Sequence, residues 1–261
     1  MENNNETNLD VQEQSVEQLS STDALIGVLS SPGETCETLA ATKKKNYWIL
    51  SVLITVIISL VVTFIFFRDE QIMSGMMDKQ KEQLEKSMEE QVKSGKMSPE
   101  QSQQAIEQAE KFMDPKGVFF QIIGYGGSIA IPFLMVLILS LVYMLVIKIF
   151  KANADFGSLM NVVGLPMIIG GIGSIVALVL SVVTGKMSSA SLALFLTEDV
   201  VGAKLSELLF KIDVFSIWYY ITVAIGLSKI AKIPAGKAYV TVFGVWIFWL
   251  LITTVSGMIF S

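Results

Sequence analysis

The chain has 261 residues, of which 52% are apolar and only 16% charged, and its net charge is -5. Ordinary soluble domains have about 45–50% apolar and about 25% charged residues, so this composition excludes that class, and the acidic balance argues against nucleic acid as a partner. Without histidine and with one cysteine, Cys36, the chain cannot form an internal disulfide, a His-ligated metal site or a His-dependent catalytic pair.

The charges are segregated along the chain. Residues 1–42 contain eight acids and no Lys or Arg, and residues 68–116 contain eleven acids and eight bases. Residues 1–22 are predicted to be a disordered acidic tail, because so few apolar groups cannot offset the entropy of ordering. No positively charged segment followed by an apolar one opens the chain, so no cleavable signal peptide is expected.

Residues 23–46 are predicted to form a juxtamembrane amphipathic segment. Leu25–Leu29 makes a short apolar patch, and Ser31-Pro32-Gly33-Glu34 predicts the start of a helix with a capping box from Ser31 to Glu34. The patch is too short to cross a bilayer and has no evident core to join, so a place on the membrane surface is expected. Cys36 in this segment is interpreted as a small reduced residue, with S-acylation as the alternative.

The first membrane span is predicted at about residues 47–67, an apolar run of the length a bilayer requires. Residues 70–113 follow as a polar helical hairpin insert outside the membrane, turning at Ser94-Gly95 and restarting with a capping box at Ser98–Gln101. One helix of the hairpin carries an apolar stripe, interpreted as the contact between the two helices or, alternatively, as a recognition face. The stripe consists of Met73, Met77, Leu84, Met88 and Val92.

Four further spans are predicted, at about residues 129–149, 166–183, 212–228 and 239–260. In the second, three glycines are expected to break the apolar run and leave an interfacial stretch at 117–127. Residues 154–164 are likewise expected to lie at the interface, with Pro166 opening the third span. The breaking glycines are Gly124, Gly126 and Gly127. The predicted fold is therefore an all-α integral membrane bundle of five transmembrane helices, with residues 47–261 as the membrane domain.

Lysines predict the orientation of this bundle. They cluster before span one, between spans two and three, and between spans four and five, and these places share one side only if there are five spans. Lysine-rich short loops face the cytoplasm, so the N-terminus is expected inside, with the 70–113 hairpin and the C-terminus outside. A four-span alternative would leave one cluster outside. The clusters are Lys43, Lys44 and Lys45; Lys148 and Lys151; and Lys229, Lys232 and Lys237.

Ionisable groups near the spans are the candidates for function. Asp213, at the outer end of span four, could bind a cation or a proton, or it could be an interfacial carboxylate that reaches water or caps a helix. Asp155 and Asn161 precede span three and have the same structural interpretation. Convergence of Asp213, Asn161 and Gln121 on one cavity would favour transport, whereas dispersal would favour a scaffold. No catalytic, cofactor-binding or metal-binding residue is predicted.

Several short motifs resemble the Yip (Ypt-interacting protein) domain family, in particular its bacterial branch. They are Asp213-Val-Phe-Ser-Ile-Trp218, Gly226-Leu-Ser-Lys229, Lys237-Ala238, Ser31-Pro-Gly-Glu-Thr35 and Pro166. The resemblance covers roughly residues 25–260 and implies a five-span bundle with a cytosolic N-terminus. Eukaryotic members act in Golgi and endoplasmic-reticulum trafficking and bind Rab-type GTPases. This chain lacks the Asp-Leu-Tyr-Gly-Pro element of those members, so Rab binding is not inferred.

The expected function is that of a non-enzymatic membrane scaffold or adaptor in membrane organisation or trafficking. The alternatives are a transporter or channel for a small solute and, more remotely, an enzyme acting on lipids, which would require a polar cluster that the sequence does not reveal. The expected partners are membrane lipids and a membrane protein or a second copy of the chain, with no cofactor and no nucleic acid. The expected location is a bacterial cytoplasmic membrane.

Overall fold

The computed structural model describes residues 18–42, 45–196 and 198–259. Within these ranges the chain is organised as α-helices with two short 3-10 turns, and it contains no named β-strand. Of the predicted acidic tail, residues 1–17 lie outside the described part of the chain. The first helix begins at Ser21, inside the predicted tail boundary at residue 22.

Five segments of the described chain are long and apolar enough to cross a membrane. They are Trp48–Arg68, Val118–Phe150, Phe156–Thr184, Val214–Ala231 and Ala235–Thr254. Their helices are α3 (Trp48–Arg68), α6 (Val118–Ile147), α7 (Phe156–Gly164) followed by α8 (Met167–Thr184), α11 (Val214–Ala231) and α12 (Ala235–Ile259). Because hydrocarbon offers no hydrogen-bond partners, a spanning backbone must satisfy itself internally, which favours helix even in these Val- and Ile-rich runs. The predicted all-α, five-span fold class is confirmed.

Helix α6 is continuous, so the predicted break at its glycines is wrong. Gly124 lies within α6, where glycine costs only about 1 kcal/mol of helix propensity. Its missing side chain is used in packing, since a Cβ atom at position 124 would lie 2.3 Å from the Phe67 ring. Pro132 is buried inside the same helix, as is tolerated where neighbouring helices enclose the freed backbone groups.

The juxtamembrane segment forms two helices, α1 (Ser21–Ser30) and α2 (Pro32–Ala41). The predicted capping box at α2 is wrong, because the Ser31 side chain makes no capping hydrogen bond. The Ser31 carbonyl instead accepts a hydrogen bond of 3.0 Å from the Thr35 hydroxyl. Pro32 does occupy the first turn of α2, where its missing N–H is not needed.

Both juxtamembrane helices join the core of the bundle, contrary to the expectation that they have no core to join. Ala24 and Val28 are fully buried in a cluster with the first residues of α8. On α2, Cys36 is buried against α11, where a Cβ atom at Gly226 would lie 3.2 Å from the Cys36 sulfur. Glu37 forms an ion pair with Lys229 at the end of α11. The segment is thus a layer of the membrane domain, because its apolar side packs on helices that the sequence places far away.

Helices α4 (Glu70–Lys93) and α5 (Pro99–Met113) form the predicted hairpin. The Ser98 hydroxyl accepts from the Gln101 N–H at 3.2 Å, and the Gln101 side-chain oxygen accepts from the Ser98 N–H at 3.0 Å, which confirms the capping box. An ion pair of 2.6 Å from Lys81 to Glu110 links the two helices. The position of this hairpin outside the membrane stays a prediction.

Helix α7 lies in the core rather than at its edge. Leu159 and Val163 are fully buried among residues of α3, α6 and α11, so α7 packs inside the bundle, and the interfacial position of residues 154–164 stays a prediction. The predicted start of the third span at Pro166 is confirmed, since Leu165 and Pro166 separate α7 from α8. Two short helices, α9 (Glu198–Val201) and α10 (Ala203–Phe210), lie between α8 and α11.

Candidate functional site

Asn161 is a structural residue that connects α7 to the start of α3. It is 8% exposed. Its side-chain oxygen accepts a hydrogen bond of 3.1 Å from the Trp48 N–H, and its amide nitrogen donates one of 2.8 Å to the Lys45 carbonyl. The first N–H groups of a helix have no partner within that helix, so Asn161 satisfies one of these groups from a neighbouring element.

Asp213 caps the N-terminus of α11. Its Oδ1 accepts hydrogen bonds from the Phe215 N–H at 2.9 Å and the Ser216 N–H at 3.0 Å. Its Oδ2 accepts the Ser216 hydroxyl. A carboxylate in this position satisfies orphan N–H groups and complements the helix dipole, so the structural interpretation of Asp213 as a cap holds for its own helix.

The other candidate residues lie elsewhere. Asp155 caps α7, where its Oδ2 accepts from the Ser158 N–H at 3.0 Å and from the Ser158 hydroxyl at 2.9 Å. Gln121 is exposed on α6. Asn161 is at the end of the bundle that carries Trp48, whereas Asp213 is at the opposite end. Asp213, Asn161 and Gln121 therefore do not converge on one cavity.

Asp213 does line a cavity of about 320 Å³ between α3, α6, α8 and α11. Its apolar part is lined by Met135 of α6 and by residues of the first turn of α8, including Met167 and Gly170. The part near the end of the bundle contains polar groups, and Asp213 is the one charged residue among the described residues of its lining. The polar groups there come from Ser174, Ser189, Asp213, Ser216 and Tyr220.

The loop after α8 forms one side of this cavity and is held firmly at both ends. The Ser188 N–H donates to the Ser181 hydroxyl at 2.9 Å, and the hydroxyls of Thr184 and Ser188 are 2.9 Å apart. Farther along, the Val214 N–H donates to the Ala190 carbonyl at 3.2 Å. The hydroxyl of Ser189, between these anchors, is buried at the cavity and has no hydrogen-bond partner within the described structure.

A second hollow of about 430 Å³ adjoins the first and shares with it Asp213, Ser216 and Tyr220. Its other wall contains Trp246 and Trp249 of α12. The Tyr220 ring stacks on the Trp246 ring with centroids 4.8 Å apart. Asp213 therefore stands between two hollows, with aromatic side chains beside it.

Sequence reasoning identified Asp213 but missed the cavity around it. The one local signal was the small-residue run Ser188-Ser189-Ala190-Ser191, whose polar side chains interrupt an otherwise apolar region. Nothing in the sequence indicates that this run lies next to Asp213, because the antiparallel bridge between Ser191 and Asp213 joins residues on two separate segments. Among the described residues, no group of three or more His, Cys, Asp or Glu side chains is placed to hold a metal ion.

The lysine-bearing ends of the spans meet at the other end of the bundle. The Lys237 ammonium lies 5.3 Å from the centre of the Phe150 ring, which joins the start of α12 to the end of α6. At the same end, a hydrogen bond joins Asn161 of α7 to the Lys45 carbonyl before α3. An ion pair joins Lys229 of α11 to Glu37 of α2. Lys43 and Lys44 lie outside the described residues. The remaining lysines of the three predicted clusters are thus located at one end.

Fold and composition together define a multi-pass α-helical membrane protein. The model of the Yip1 domain matches residues 26–257, so the chain belongs to the Yip1 domain family. No curated protein and no solved structure matches it significantly.

Proposed function

We propose that this protein is a non-enzymatic membrane scaffold or adaptor that acts in membrane organisation or trafficking. The observation that supports this proposal is that Asp213, Asn161 and Gln121 lie apart from one another. These three polar side chains therefore do not form a common site at which a reaction could take place. Two of the three side chains hold helix ends in place. The trafficking role is the one that the family resemblance implies.

The surfaces that such a scaffold would use are apolar faces of the spans. On α3, exposed side chains recur at helical spacing and form a stripe directed away from the bundle, which suits contact with lipid chains or with a helix of a partner. The stripe consists of Leu53, Ile57, Val61 and Phe64. We propose membrane lipids and either a membrane protein or a second copy of the chain as the partners, with no nucleic acid.

The proposed location is a bacterial cytoplasmic membrane, with the N-terminus in the cytoplasm and the C-terminus outside. This proposal is supported by the lysines at one end of the bundle, because short lysine-rich segments remain on the cytoplasmic side during insertion.

The scaffold proposal is tested by capture of the tagged full-length protein from gently solubilised membranes. We expect recovery of a partner or a second copy in stoichiometric amount, and we expect Val61→Lys on the α3 stripe to reduce it at least about tenfold, because a charge on such a face is costly to bury. Lys96→Ala, an exposed change in the hairpin turn, serves as the matched control. A strictly monomeric protein without a stoichiometric partner would contradict the proposal.

The alternative function, transport of a small solute, is favoured by the cavity at Asp213. Asp213→Asn separates the two roles of this residue, because asparagine is as good an N-cap as aspartate but has no charge. If the protein is a transporter that uses the carboxylate, flux in reconstituted vesicles should fall while the unfolding temperature stays nearly the same. Unchanged flux of a transported solute would show that Asp213 has no role in the transport step.

A further inference from the structure

The cavity at Asp213 changes character along its length. Its lining on α8 extends from Met167 to Ala177, which at 1.5 Å per residue corresponds to roughly 15 Å along the helix. Met135, Met167 and Gly170 line an apolar end, where Gly170 is exposed, whereas Asp213 and Ser189 line a polar end. This gradient matches an amphiphile with its head group at the polar end and a hydrocarbon chain at the apolar end.

The negative charge of Asp213 selects the head group. The Asp213 carboxylate has roughly four acceptor positions, and three of them already accept hydrogen bonds, so Oδ2 can accept from one further donor. No Lys or Arg occurs among the described residues of the lining, and Lys211 lines only the neighbouring hollow. The aromatic side chains Phe215 and Tyr220 also line the cavity, and aromatic rings attract cations. These features favour an organic ammonium and disfavour a ligand with a net negative charge.

Ser189 adds an independent observation. Ser189 lines the cavity, and its hydroxyl is buried without a hydrogen-bond partner within the described structure, which is unfavourable for a polar group. Rotation of this side chain towards the cavity would allow the hydroxyl to pair with a second polar atom of a ligand, such as an oxygen two carbons from the ammonium. The volume of about 320 Å³ admits roughly ten groups of the size of water, which is enough for a head group and the first part of one chain.

We infer that this cavity is a binding site for an amine-bearing head group, with the ammonium at Asp213, a neighbouring oxygen at Ser189 and an attached hydrocarbon chain at the apolar end between α6 and α8. The inference is independent of the scaffold proposal, because a scaffold with an empty cavity and a lipid-binding protein without partners are both conceivable. The shared chemistry is the ammonium, whose source is either a phosphatidylethanolamine head group in the membrane or free ethanolamine in the aqueous phase.

Three variants of the full-length protein separate binding from folding. Asp213→Asn removes the charge and retains the helix cap. Gly170→Leu adds bulk at the apolar end, at an exposed position where a Cβ atom meets no atom within 4 Å. Gly244→Leu on α12 is the matched control, since its position is equally open and does not line the cavity. Each variant is accepted for the comparison when its unfolding temperature in detergent equals that of the natural chain within a few degrees.

The experiment measures retained lipid by native mass spectrometry after the protein is extracted from vesicles of phosphatidylethanolamine, phosphatidylcholine or phosphatidylglycerol. We expect one phosphatidylethanolamine to be retained by the natural chain and by Gly244→Leu. We expect retention to fall about tenfold or more in Asp213→Asn, as loss of a charged hydrogen bond predicts, and also in Gly170→Leu. Phosphatidylcholine, which lacks N–H donors, should bind more weakly, and phosphatidylglycerol should not bind at this site.

Free ethanolamine distinguishes the two sources. If millimolar ethanolamine displaces the lipid, or raises the unfolding temperature of the natural chain but not of Asp213→Asn, the site takes the soluble amine and the ammonium inference stands. Equal retention of phosphatidylethanolamine and phosphatidylglycerol, or unchanged retention in Asp213→Asn, would overturn it. Absence of both lipid retention and an ethanolamine effect in the natural chain would overturn it as well.

Discussion

Asn161 holds the start of α3 in place through two hydrogen bonds from a single buried amide. The Trp48 N–H belongs to the first turn of α3 and has no partner within that helix, whereas the Lys45 carbonyl also accepts from the Tyr47 N–H at 3.0 Å. The side chain therefore works as a remote cap, and its value depends mainly on keeping the Trp48 N–H paired.

Replacing Asn161 by alanine should lower the free energy of unfolding by about 1–3 kcal/mol, because the Trp48 N–H loses its partner, whereas the Lys45 carbonyl keeps its bond from the Tyr47 N–H. The measurement is unfolding of the detergent-solubilised protein in a denaturing detergent. Gln121→Ala is the matched control, since it removes an exposed amide and should change stability by less than about 0.5 kcal/mol. Equal effects of the two substitutions would contradict the role assigned to Asn161.

Cys36 is a second residue whose properties depend on its surroundings. Burial raises the pKa of the Cys36 thiol to about 12 from an ordinary value of 9.0, against a smaller opposite effect of Lys229. Because the folded value is above the unfolded one, the stabilising contribution of the neutral thiol is fully present below pH 9 and is lost as the pH rises towards 12. Burial also makes S-acylation of the folded protein unfavourable.

We expect Cys36 in the folded protein to react with a maleimide at pH 8 at least about a hundredfold more slowly than in denaturing detergent, because the thiolate is the reactive form. The rate is followed by the mass of the labelled protein. Lys96→Cys in a Cys36→Ser chain provides an exposed thiol for comparison. Equal labelling rates of the two folded proteins would show that Cys36 is accessible.

At the level of helices, glycines determine how closely the spans approach one another. A Cβ atom at Gly164 would lie 2.7 Å from the Trp48 Cβ, whereas a Cβ atom at Gly126 would meet nothing within 4 Å. Small residues let helix backbones come together in lipid, where packing replaces the hydrophobic drive between helices. Gly164 thus lies at a close contact between α7 and α3, whereas Gly126 faces open space, although both residues are helical glycines.

Gly164→Ala should destabilise the protein by about 1–3 kcal/mol, as overpacking of a close contact does, while Gly126→Ala should be neutral or stabilise it by up to about 1 kcal/mol through helix propensity. The two proteins are compared by thermal unfolding in the same detergent. Stabilisation by both substitutions would show that α7 and α3 have room to separate at Gly164.

At the scale of the whole molecule, the five spans place the hairpin turn near Lys96 at the end opposite to Lys151 and Lys232. With the proposed orientation, the hairpin of α4 and α5 projects outside the cytoplasm. The chain contains a single buried cysteine, so introduced cysteines can report the side of the membrane without interference.

In intact cells, a membrane-impermeant maleimide should label Lys96→Cys and should label Lys232→Cys only after permeabilisation, both in the Cys36→Ser background. The expected labelled fractions differ at least about tenfold, because short lysine-rich loops remain in the cytoplasm. Labelling of both positions in intact cells, or the reverse pattern, would refute the orientation. Lys151→Cys provides a second position on the lysine side.

Much of the fold could be predicted because its signals are local. The length of the apolar runs determines where helices can cross a bilayer, and the capping residues of α5 are adjacent in sequence. The same reasoning failed at Gly124, since a glycine that breaks a helix and one that admits a neighbouring Phe67 ring look identical in a single sequence. The short motif at Asp213–Trp218 indicated the family before any fold was known.

By itself the sequence determined the class of protein, the number of its spans and its family, because hydropathy, charge and short motifs depend on neighbouring residues. Only the tertiary structure decided that α1 and α2 belong to the core, that Asn161 caps a distant helix, and that Asp213 faces a cavity closed by the loop at Ser189. Each of these depends on contacts between segments far apart in the chain. Such contacts are selected by the packing of the whole bundle, and no local pattern of residues encodes them.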